Sequence, residues 1–282
     1  MMMRRKTGKT SKAPASEKEP LTDRADARKQ EIFEIFMSGQ YRQLVELMQQ
    51  TKEYITILAD LVSDDRWLIR RCAIRGLQHA ADNGIDISEA VRALGKALYD
   101  EDTEVQWDAI RDLKIAAEKG MDISDCFNEI ENALSDEKPQ VREKIGMLWK
   151  IAAEKGMDIS EHIPALAKAL HDKDADVRWV ISDVLTTAAW KGADVSVAIE
   201  ALTNAISDVR WEVRENVVEA LDNAAEKGDH QTREKIVSEL MRFIKSEEFI
   251  REAQRNTPKY IDMVEKLGRL INRIYELERE AA

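Results

Sequence analysis

Between residues 51 and 229 apolar residues return at steps of three and four, the spacing of one helix face. Val91, Leu94, Ala97 and Leu98 mark a short face, repeated as Phe127, Ile130, Ala133 and Leu134, then as Ile163, Leu166, Ala169 and Leu170. After each short face a longer one follows, as in Val105, Ala109, Leu113 and Ala116. The pattern predicts alternating short (A) and long (B) helices. The nonapeptide AAEKGMDIS stands at 116–124 and again, unchanged, at 152–160, which fixes a repeat of 36 residues. That offset aligns Gly84, Gly120, Gly156, Gly192 and Gly228, and likewise Asp64, Asp100, Asp136, Asp172 and Asp208. Five units are therefore in register, each too small to bury its own apolar stripe, so stacking must supply the core.

Local chemistry fits helix boundaries. Ser88, Ser124, Ser160 and Ser196 occupy the expected N-cap of helix A, where a hydroxyl accepts an unpaired backbone N–H. The Gly column follows helix B, where a left-handed C-cap is expected, and Ile85, Met121 or Met157 can fold back on the last turn. Four segments are predicted: a disordered basic tail over 1–22, an N-terminal helical cap over 23–50, five repeats over 51–229, and a degenerate repeat with a C-terminal capping helix over 230–282. Thr257-Pro258 has the chemistry to start that last helix, with Ile261, Val264, Leu267, Ile271 and Ile274 as its apolar stripe. The fold class is all-α, an α-α superhelix of five 36-residue helix pairs with helical caps.

The Asp turn followed by Val-Arg, as in Asp172 with Val177-Arg178 and Asp208 with Val213-Arg214, resembles the HEAT repeat, in particular the PBS-lyase HEAT-like units of the armadillo-type α-solenoids. The resemblance implies a ladder of hydrogen bonds joining Asp64, Asp136, Asp172 and Asp208 with Arg70, Arg142, Arg178 and Arg214. Gln106 breaks that pattern in the second unit. The family includes adaptors, transport factors, lyases and repair proteins, so function has to be sought in the site.

No catalytic constellation stands out. The iron-binding His-Glu pairs of deoxyhypusine hydroxylase, a HEAT-like enzyme, are absent, since His79, His162, His171 and His230 precede Ala, Ile, Asp and Gln. HExxH, Walker, GxGxxG and GxSxG motifs are absent too. A non-enzymatic protein is expected, with no catalytic residues, no cofactor and no metal. Cys72 and Cys126 lack metal-ligand spacing and suit a reducing, cytoplasmic setting. No apolar run approaches the ~18 residues of a membrane span. The net charge is −11, and residues 1–24 hold seven basic against three acidic side chains, so the remaining body is the more acidic part and repels nucleic acid as a whole.

Tryptophan gives the candidate site. With Val105 and its equivalents taken as the buried direction of helix B, five of the six Trp fall on the opposite ridge, and Trp149 alone has a core phase. The ridge supplies the expected partner-binding residues Trp67, Arg71, Arg75, Trp107, Arg111, Lys114, Met147, Trp179, Trp190 and Trp211. By resemblance, helix B lines the concave side of the superhelix. The five ridge rows carry +1, +1, −1, −1 and −4, a gradient that would orient an extended ligand. The first reading is a scaffold or adaptor binding a protein or peptide there. The alternatives are nucleic-acid binding through Trp stacking with the Arg71/Arg75/Arg111/Lys114 patch and the tail, or a chromophore or cofactor lyase or chaperone.

Overall fold

The computed structural model describes residues 21–255 and 257–281. Most of the expected tail lies outside them, and Leu21, inside the segment assigned to it, already opens the first helix. Helices α1 (Leu21–Ser38) and α2 (Tyr41–Gln50) form the N-terminal cap. Five pairs follow: α3 (Glu53–Leu61) with α4 (Trp67–Asp82), α5 (Val91–Ala97) with α6 (Thr103–Glu118), α7 (Phe127–Ala133) with α8 (Pro139–Glu154), α9 (Ile163–Ala169) with α10 (Ala175–Lys191), and α11 (Ile199–Ala205) with α12 (Trp211–Lys227). The chain closes with α13 (His230–Ile244), α14 (Glu247–Arg255) and α15 (Pro258–Ala281).

The long helices stack in one layer in the order α4, α6, α8, α10, α12, α15, and the short ones form the other layer. Helix α13 packs on α11, and α15 on α12, so these two complete a sixth pair interrupted by α14. The buried residues of all pairs form one continuous core, as expected where no unit can bury its stripe alone. Trp149 is its largest fully buried side chain. Its ring lies 4.8 Å from those of Phe127 and His162.

The glycine caps hold in four units. Gly84, Gly120, Gly156 and Gly192 have φ of 77°, 80°, 77° and 89°, where a side chain is strained. In each, the next residue bonds back to the helix, as Met157 N–H does to Ala152 O at 3.0 Å. Gly228 departs from the column, with φ −78° and ψ 170°. Asp229 follows it at once as the N-cap of α13, accepting the Thr232 N–H at 2.8 Å, so no left-handed connector is needed.

The serine caps also need correction. Each of these serines opens a 3-10 turn ahead of the short helix, and its hydroxyl caps nothing. The acceptor is the aspartate two residues earlier. Asp86, Asp122, Asp158 and Asp194 accept the N–H of Ser88, Ser124, Ser160 and Ser196 at 3.0, 2.9, 3.0 and 2.8 Å. A carboxylate takes the role because its reach across two residues closes an Asx turn.

Helix α15 begins as expected, Thr257 Oγ1 accepting the Tyr260 N–H at 3.1 Å. Its predicted stripe divides between two faces. Leu267 and Ile274 are buried against α12 and α13, whereas Ile261 and Val264 face solvent and Ile271 is half-buried.

Candidate functional site

A polar ladder fixes the geometry of the long-helix layer. Each Arg pairs with the turn Asp of the following unit and donates to carbonyls of its own turn. Arg142 Nε and Nη2 reach Asp172 at 2.6 and 2.8 Å, while Nη1 reaches Asp136 O at 2.7 Å. Arg70 does the same with Asp100, and Arg178 with Asp208. Asp100 thus belongs to the ladder, and Asp64, with no unit before it, is held by Arg66. Gln106 keeps the second rung as a neutral donor, to Asp136 at 3.0 Å and to Leu98 O at 2.7 Å. Arg214 finds Asp262 of α15 at 2.7 Å, which carries the ladder into the sixth pair. Planar two-pronged pairing of this kind sets orientation as well as distance.

On this frame the ridge tryptophans differ in exposure. Trp67 is 47% exposed, Trp190 57% and Trp211 61%. Trp67 and Trp211 are the first residues of α4 and α12, and Trp190 stands near the end of α10. Trp107 and Trp179 are half-buried. The Arg210 guanidinium lies 4.9 Å from the Trp179 ring and pairs with Asp176, and Lys191 stands 5.1 Å from the Trp190 ring. Met147 is half-buried beside Lys144.

The basic residues are less free than the sequence suggests. Arg71, Arg75 and Arg111 converge on Asp108 at 3.2, 3.7 and 2.9 Å, and Arg71 also pairs with Glu104. Lys114 sits 3.6 Å from Glu118. One turn along α6 from Asp108, Asp112 is fully buried and its carboxyl makes no hydrogen bond. Burial pushes its pKa well above the usual range; the nearby Arg111 opposes this, and Asp108 and Asp82 add to it. At the other end, Lys266, Arg269 and Arg273 of α15 line a groove with Glu215, Glu219 and Asp222 of α12. Lys266 meets Glu215 at 2.7 Å, and Arg273 meets Glu226 at 3.9 Å. The expected charge gradient is therefore flattened at both ends. Arg210, Asp108 and Lys266 escaped sequence reasoning because a pairing across units, or with a helix outside the repeat, leaves no periodic trace.

Among the described residues no cluster of His, Cys, Asp and Glu has the arrangement of a metal site. None of the described helices is long and apolar enough to cross a membrane. Cys126 is buried and Cys72 half-buried.

The architecture is that of the HEAT/armadillo-type helical-repeat solenoids. A HEAT-like repeats protein from the archaeon Thermococcus onnurineus NA1 superposes with a TM-score of 0.57 at 14% identity, over 88% of this chain and 97% of that one. A designed armadillo repeat protein in complex with the peptide (KR)4 gives 0.56 at 16% identity, over 77% and 99%. An engineered protein gives 0.57 at 19% identity, over 79% and 97%. At such identities the likeness concerns the fold. No protein-family model matches the chain, and no curated protein matches it.

Proposed function

We propose that the long-helix face is a docking surface for an extended peptide or a protein segment, and that the chain acts as a scaffold or adaptor with no chemistry of its own. The observation that carries this reading is the exposure of Trp67, Trp190 and Trp211 on the face where nearly every charged neighbour is already paired. Indole rings left in water on an otherwise satisfied surface lower the free energy most when a partner covers them. The designed armadillo neighbour in complex with a peptide supports the same use of the fold. The long helices meet along much of their length while α7 and α9 part to leave a groove, which favours a stack curved toward the long-helix side. Asp108 and Glu104 offset two of the three charges of Arg71, Arg75 and Arg111, which favours a peptide over nucleic acid.

Selection of a peptide display library on the intact chain, with single-stranded DNA as a parallel probe, tests the reading. Trp190→Ala with Trp211→Ala should weaken a selected peptide by tenfold or more, since truncating a buried Trp anchor costs ~2 kcal/mol or more. Stability should stay within about 0.5 kcal/mol, as for other exposed substitutions. Trp149→Ala should cost about 3–5 kcal/mol through its cavity. Peptide affinity indifferent to both ridge substitutions, or DNA binding that outlasts ~0.2 M salt, sinks the proposal.

A further inference from the structure

The short helices repeat their packing at every joint but one. The last residue of the turn ahead of a short helix stands 31 positions after a residue of the preceding short helix, which pairs Ala59 with Ala90, Gly95 with Cys126, Glu131 with His162 and Ala167 with Ala198. Three of these pairs are small. A Cβ on Gly95 would meet Cys126 Cβ at 2.5 Å, and α3, α5 and α9 each pack closely on the turn ahead of the next short helix. At the third joint His162 Nδ1 lies 2.5 Å from Glu131 Oε2, and α7 and α9 part around a groove of about 700 Å³.

The core is enlarged at the same place. Trp149 stands in the column of Leu77, Leu113, Leu185 and Leu221, and Phe127 in that of Val91, Ile163 and Ile199. The ring centroids of Phe127, Trp149 and His162 lie within 5.5 Å of one another, so the four larger side chains form one swelling behind the groove. On the long-helix side the bias is reversed. Gly146 stands in the column of Ile74, Ile110, Ser182 and Val218, and a Cβ there would collide with Val180 Cγ1 of α10. Helices α8 and α10 therefore approach more closely than an isoleucine would allow.

We propose that Glu131 and His162 form a wedge that bends the array toward its long-helix side at the α8/α10 joint, and so fix the spacing of the docking face between Trp107 and Trp179. The second half rests on the docking reading given above; the bend does not. Added bulk in a packed layer is relieved by shifts of the backbone, and the distance between helix axes follows the side chains at the contact. Here bulk lies in one layer and its lack in the other. A joint thickened on the short-helix side and thinned on the long-helix side turns toward the thin side. Trp107 on α6 and Trp179 on α10 stand on either side of the joint's first long helix, α8.

The other units supply the test. Phe127→Ile, Glu131→Ala, Trp149→Leu and His162→Ala together install residues that stand at the same positions elsewhere in the array. Helix axes pack at ~8–10 Å according to side-chain size, so the fourfold variant should draw α7 and α9 together by about 2 Å. Spin labels on the full chain read this in a Cys72→Ser background, Cys126 being buried. The distance between labels at Lys96→Cys and Asn204→Cys, exposed on the short-helix side, should shorten by that amount; between Glu118→Cys and Glu226→Cys, exposed on the long helices, it should hold. A peptide selected on the parent should then bind roughly tenfold more weakly, as when one anchor is lost, although Trp107, Trp179, Trp190 and Trp211 are all kept. An unchanged short-helix distance, or equal shortening on both sides, overturns the wedge. Equal peptide affinity after the expected shift overturns its bearing on docking and leaves the bend established. Should the fourfold variant fail to fold, Glu131→Ala with His162→Ala decides by the same two distances.

Discussion

Removing one rung of the ladder measures what joins the units. Arg142 is almost wholly buried and gives Asp172 two hydrogen bonds and its own turn two more, to Asp136 O at 2.7 Å and Glu137 O at 3.2 Å. Breaking a buried ion pair costs about 3–5 kcal/mol because the remaining charge is stranded. Asp172 would still accept the Asp174 N–H at 2.8 Å, so Arg142→Ala should fall near the lower end, about 3 kcal/mol. Gln106 shows what a neutral donor achieves at the same place, so Arg142→Gln should cost only about 1–1.5 kcal/mol. The pH dependence adds a second reading. Burial works against ionisation of Asp172, yet the Arg142 hydrogen bond and the Asp174 N–H hold its pKa below the ordinary value. Its contribution is therefore present above the unfolded value of ~3.9 and is lost as pH falls toward the folded one. Both variants should show a shallower acid loss than the parent. Repeat arrays can open unit by unit, so urea denaturation should be paired with hydrogen exchange over α8 and α10. An Arg142→Ala cost below about 1 kcal/mol, or a Gln variant as damaged as the Ala variant, would refute the ladder as a buried, stabilising joint.

Gly156→Val should lose about 1–2 kcal/mol, since a β-branched residue must then occupy φ 77° with no contact to offset the strain; an unchanged denaturation midpoint would remove the cap assignment. Asp112 offers the opposite sign. Its folded pKa is raised, so the stability it lends is full below the unfolded value of ~3.9 and is lost as pH rises toward the folded one. Asp112→Asn should accordingly be more stable than the parent at pH 7 and lack that decline, and a destabilised Asn variant would show that the carboxylate is needed.

The repeat was legible because every unit faces the same packing problem. In the column of Ile69, Val105, Val141, Val177 and Val213 the four valines are fully buried, and Ile69, in the first pair, is half-buried. Helix caps were legible in place but less so in agency: Ser and Asp stand two residues apart in the same motif, and only the Asx geometry shows which one accepts. Gly228 misled because its column was continued past the point where the following residues cease to repeat. In α15 the apolar positions Ile261 through Ile274 read as one stripe, although the helix buries one side of it and leaves the other in water. The ridge was found from phase alone, since five Trp on one face are visible in sequence. Its electrostatics were not, because Asp108, Arg210 and Lys266 act across unit boundaries that sequence spacing does not rank.

The neutral rung at Gln106 makes the boundary between the second and third pairs unlike the others. Helices α6 and α8 also meet over less of their length than α8 with α10 or α10 with α12, and α6 carries the buried Asp112, whose carboxyl makes no hydrogen bond. Bending stiffness in a stack is set by its weakest joint, so thermal flexing should concentrate there. The array would then behave as two stiff arms, one bearing Trp67 and Trp107 and the other Trp179, Trp190 and Trp211, with an adjustable pitch between them. Spin labels placed on either side of that joint should report a broader distance distribution than an equal span across α10, and Gln106→Arg should narrow it.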